Sequence, residues 1–73
     1  MTESKRDRFV RLAEKRTNSV IDRIRVLSNC ANRYVYDYDE NDIRKMFAAI
    51  EKEVKAARGR YEAGLGSDRF TLE

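Results

Sequence analysis

The sequence predicts an all-α protein: an antiparallel two-helix hairpin, completed by dimerisation into a four-helix bundle. Three observations predict it. There is no proline, and the three glycines all fall at or after residue 59, so nothing breaks a helix before that point. Apolar residues recur at three- and four-residue spacing in two separate stretches. A strong helix-start pattern stands between those stretches.

The first helix should span about residues 4–31. Val10, Ala13, Thr17, Val20, Ile24, Leu27 and Ala31 step three and four apart, which places them on one stripe. Phe9 lies on the same arc, and Leu12, Ile21 and Cys30 widen its edges. Asn29 and Asn32 are candidates for the C-terminal cap, because asparagine tolerates the left-handed backbone conformation.

The second helix should span about residues 40–62. Asp39 fits the N-cap, and Asp42, three residues on, supplies the carboxylate of a capping box. Tyr38 and Ile43 are placed as a hydrophobic staple across it. Ile43, Phe47, Ile50, Val54, Ala57 and Tyr61 then mark the apolar stripe, with Met46 alongside. Gly59 should weaken the last turn. The eight core residues are expected to be Phe9, Val20, Ile24, Leu27, Ile43, Phe47, Ile50 and Val54.

Between the helices, Arg33-Tyr34-Val35-Tyr36-Asp37-Tyr38 alternates tyrosine with other residues, which suggests an extended segment. The connection is short enough to return the second helix antiparallel to the first. Residues 1–63 therefore read as one hairpin domain and 64–73 as a C-terminal tail. In the tail, Gly66-Ser67-Asp68 reads as a turn, and Arg69-Phe70-Thr71-Leu72 alternates again. The two alternating segments could pair as a minor two-stranded patch.

Seventy-three residues lie near the lower limit for a self-sufficient core. One cysteine and no histidine rule out an internal disulfide and a zinc site. Self-association into a homodimer is the remaining way to cover the apolar edges. No apolar run approaches the roughly 20 residues of a membrane span, and the charged start MTESKRDRF does not read as a secretory signal. A cytoplasmic location is expected.

Charge is unevenly spread. Residues 1–33 hold nine Lys/Arg against four Asp/Glu, and residues 34–73 hold seven against nine. On the first helix, Arg8, Arg11, Lys15 and Arg25 fall opposite the apolar stripe, and Arg33 would join them if the helix ran on. Phosphate contacts need such cations along one surface. Asp7, Glu14 and Asp22 dilute that face, so an ordinary solvated surface is the competing reading. Tyr34 and Tyr36 could stack on unpaired bases beside it, or close the end of a small core. Arg16 and Arg23, at the margin of the apolar arc, are expected to meet carboxylates such as Glu51 and Glu53 or those of another subunit.

Asp37, Asp39 and Asn41 match the first ligands of a calcium loop, but Asp42 stands where its glycine belongs and Ala48 where its bidentate glutamate belongs. Capping explains the same acids, and no metal or cofactor is expected. Cys30 reads as a small buried hydrophobe. Without histidine it lacks the usual base for nucleophilic work. With no phosphate loop or paired acid–base site either, no enzymatic activity is expected.

Three stretches, Arg8 to Asn18, Leu27 to Asn32 and Tyr36 to Ile43, resemble small helical proteins of bacterial mobile elements such as plasmids, prophages and integrative elements. That resemblance covers about residues 5–63. It implies a mobile-element setting and a partner that is nucleic acid or a nucleic-acid-handling protein, and it brings no active site to carry over. The leading expectation is a non-enzymatic module associated with DNA or RNA through Arg8, Arg11, Lys15, Arg25 and Arg33, with Tyr34 and Tyr36. The alternative is a small protein-binding adaptor or inhibitor of a host or defence complex, with Arg33, Tyr34, Tyr36 and Tyr38 as its contact residues.

Overall fold

Ser4 starts the first helix, as its residue type demands. In the computed structural model, which describes residues 2–66, its backbone is extended and its hydroxyl accepts a hydrogen bond from the Asp7 N–H at 3.0 Å. Its carbonyl accepts from the Arg8 N–H at 2.9 Å. One orphan donor of the first turn is thereby satisfied, and the Asp7 carboxylate sits where the helix dipole favours it. Helix α1 then runs Lys5–Ser28.

The end of α1 departs from expectation. Neither asparagine turns left-handed, and no residue other than glycine among those described has positive φ. Instead Asn29 stays helical and donates its N–H to the Val26 carbonyl. A short 3-10 turn, Asn29–Ala31, tightens the last carbonyls, and the chain leaves it extended at Asn32. Tightening into three-residue bonds is the other standard way of satisfying a helix end.

The tyrosine segment is also corrected. Asn32 accepts a hydrogen bond from the Tyr34 N–H through its side chain, at 3.0 Å. Its carbonyl accepts from the Val35 and Tyr36 N–H groups at 3.1 and 2.9 Å. Residues 33–35 are therefore a turn, because the asparagine amide offers local partners that outweigh β propensity. No strand is present among the described residues. Residues 67–73, which include the other half of the expected two-stranded patch, lie outside the described residues.

At the second helix the sequence reading holds at one end only. The Asp39 carboxylate accepts from the Asp42 N–H at 2.9 Å, and the Asp42 carboxylate accepts from the Asp39 N–H at 3.0 Å, a closed reciprocal capping box. Helix α2 runs Glu40–Gly66, four residues beyond the expected end. Gly59 and Gly64 both keep negative φ and stay helical. A helical glycine costs roughly 0.5–1 kcal/mol relative to alanine, which is too little to stop a proline-free helix.

The fold class is all-α, as predicted. α1 with its turn belongs to one structural unit, residues 1–37, and α2 to a second, residues 38–73. The expected core is not buried. No described residue falls in the buried class, and Ile24 is 42% and Phe47 45% exposed. A single helix has no interior, so its stripe gains the hydrophobic term only when another element covers it.

Candidate interaction surfaces

Three features of α1 and its approach decide what its basic face can do. Arg11 grips the Glu3 carboxylate with two hydrogen bonds, Nε to Oε2 at 2.8 Å and a terminal nitrogen to Oε1 at 3.0 Å. Arg8 stands 3.9 Å from the same carboxylate. The bidentate fork is the geometry by which guanidinium recognises carboxylate or phosphate. The hydrogen bond from Arg11 holds the Glu3 carboxyl below its ordinary range, and Glu3 in turn pushes the Arg11 guanidinium up.

Glu3 is the partner of this face that the sequence reading missed. Acids on the helix were counted, but Glu3 precedes the N-cap and reaches back over two turns. The signal was available: an acid just before a capping serine, with arginines one and two turns on. Further along, Arg25 lies 3.8 Å from Asp22. Lys15 is exposed, as are Arg16 and Arg23. The basic face is therefore laced with acids at both ends. Arg6, not assigned a role from sequence, places its guanidinium 5.8 Å from the centre of the Phe9 ring. That distance permits a cation–π contact.

The aromatic residues divide between the units. Tyr34 is wholly exposed and Tyr36 about half exposed, while Tyr38, in the second unit, is half-buried just before the capping box. Arg33 stands in the turn beside Tyr34. Cys30 carries a free thiol and is exposed rather than buried, a correction that follows from the helix edge having no cover.

The acids around the α2 start serve the helix. Asp39 and Asp42 bond each other's backbone, and Glu40 lies 3.7 Å from Arg44 one turn on. Among the described residues, no group of three His, Cys, Asp or Glu side chains is placed to hold a metal ion. None of the described helices is long and apolar enough to cross a membrane.

Along α2, Ile43, Phe47, Val54 and Tyr61 are all exposed at helical spacing. Along α1, Phe9, Val20, Ile21 and Ile24 are likewise exposed. Each helix thus presents exposed apolar residues along the stripe that the sequence marks. No protein-family model matches the chain, and no curated protein or solved structure is found to be similar to it.

Proposed function

We propose that the protein is a non-enzymatic helical module that works by associating with other proteins, beginning with a second copy of itself. The observation that carries this reading is the pair of exposed apolar stripes on α1 and α2. Large exposed apolar side chains grouped on one face mark a surface for association. In the assembly the apolar stripes of two chains cover one another in a helical bundle. Outside the bundle, Tyr34, Tyr36 and Arg33 offer the residue types that dominate interface energies, for a partner in a mobile-element setting. The test is capture of a stoichiometric protein from the native host. Capture that survives nuclease and is lost in a Tyr34→Ala/Tyr36→Ala variant supports the adaptor reading. Recovery of nucleic acid alone rejects it.

A second reading, association with DNA or RNA through Arg8, Arg11, Lys15, Arg25 and Arg33, is favoured by one specific observation. The Arg8–Arg11 pair already holds an oxoanion, the Glu3 carboxylate. A backbone phosphate would compete with Glu3 for the same fork. Glu3→Gln should then tighten binding in a low-salt mobility shift, severalfold at most, because the displaced pair is exposed. Absence of any shift with single- and double-stranded DNA and RNA removes this reading.

A further inference from the structure

We infer that α2 is the self-association element, and that two copies pair through it antiparallel in one register, with Val54 of each opposite Ala57 of the other. This rests on the dimer reading above and adds the element, the direction and the register.

Charge on the two flanks of the α2 stripe carries the argument. Glu51 lies on one flank and Glu53 on the other, and seven residues on Arg58 and Arg60 occupy the same two flanks. The Glu53 flank therefore changes sign once, from acid to base, and the Glu51 flank does the same after Arg44, which stands seven residues before Glu51. Like charges face each other when α2 meets a copy in most registers. Antiparallel helices set each flank against the same flank of the partner. A two-fold axis crossing α2 between Lys55 and Ala56 brings Glu51 against Arg58 and Glu53 against Arg60, twice each. Sliding one copy by a heptad sets Glu51 against Glu51 and Glu53 against Glu53, or the arginines against themselves. Both flanks thus select the same register independently.

The seam agrees with the flanks. In that register Val54 meets Ala57, Ile50 meets Tyr61, and Phe47 meets Gly64 of the second copy. Gly64 is otherwise unexplained: its φ is not positive, and a Cβ there would meet nothing within 4 Å. A helix-interior glycine without a local reason is a cost, and close approach of a bulky partner side chain is a reason for it. A parallel in-register pair instead sets Gly64 on Gly64 and Ala57 on Ala57, leaving gaps in the seam. The other acid–base match, Arg44 with Glu51, needs a register that overlaps residues 40–57 instead of 45–66 and leaves Gly64 outside the pair. Arg44 also stands 3.7 Å from Glu40 of its own helix.

The test uses the full chain. Sedimentation of Glu51→Arg/Glu53→Arg alone, and of Arg58→Glu/Arg60→Glu alone, should show self-dissociation constants raised about tenfold or more, as several attractive pairs become repulsive. An equimolar mixture of the two variants should recover the parent affinity as a one-to-one heterodimer. Spin labels at Lys45→Cys in a Cys30→Ser background should lie about 32 Å or more apart, since 21 residues of helix separate them along the axis. Reversals that leave the dimer intact, a mixture that does not recover, or labels closer than about 20 Å overturn the register while leaving a dimer standing. A monomeric parent chain overturns the dimer reading and this inference together.

Discussion

At Asp39 and Asp42 two carboxylates do the work of two backbone partners, and the consequence is measurable at one residue. Asp39→Ala should cost α2 about 1 kcal/mol and fray its first turn, seen as faster amide exchange at Asp42 and Ile43. Asp39→Asn, which keeps an acceptor oxygen, should lose little. At the other end of the molecule, Glu3 predicts a pH effect. Its carboxyl is held low by Arg11, so the contact is present above the ordinary carboxylate range and lost as pH falls through the lowered value. A carbon-detected titration should give Glu3 a midpoint below the ordinary carboxylate range, and Arg11→Gln should return it to that range. The capping box was legible in the sequence because both of its members lie within four residues. The Glu3 fork was not, because it spans eight residues and depends on how the chain enters the helix at Ser4.

The two helices were legible as elements for the same reason that their ends were not. Stripes of three- and four-residue spacing extend over many turns and average out local exceptions. An end depends on one or two residues. At the close of α1, Asn29 and Asn32 could cap in two ways, and the 3-10 turn won over the left-handed one. At the close of α2, Gly59 was expected to weaken the last turn, whereas without proline or a left-handed glycine the helix continues through it and Gly64. The tyrosine alternation misled because Asn32 supplies a turn that residue-by-residue β propensity does not register. Gly59 gives the element its own prediction. A Cβ there meets nothing, so Gly59→Ala should raise helicity and stabilise by roughly 0.5–1 kcal/mol. Gly64→Leu should instead weaken self-association although leucine is the better helix former, because the added side chain stands where Phe47 of the second copy packs.

For the whole molecule, what matters is where the apolar stripes go. Helices of 24 and 27 residues with 40% charged sequence around them gain little from propensity alone. Isolated helices are marginal in water, and most helical stability in proteins comes from packing an amphipathic face. Ile24→Ala and Phe47→Ala should therefore each cost about 2–5 kcal/mol in the assembled state, where their side chains are covered. In dilute conditions that prevent assembly, the same changes should cost far less, which a thermal melt at two concentrations separates. The candidate surface was only half legible in the sequence. The composition of the basic face could be read from residue types. Its pairing with Glu3 required coordinates.

The central claim, that the stripes are completed by a second copy, is tested most directly by following mass and helicity together across a micromolar dilution series. Sedimentation should give twice the 8.6 kDa of the chain at the concentrated end, and mass and circular dichroism should fall in step on dilution. A chain that remains a clean 8.6 kDa monomer throughout, with its full helicity intact, would contradict it.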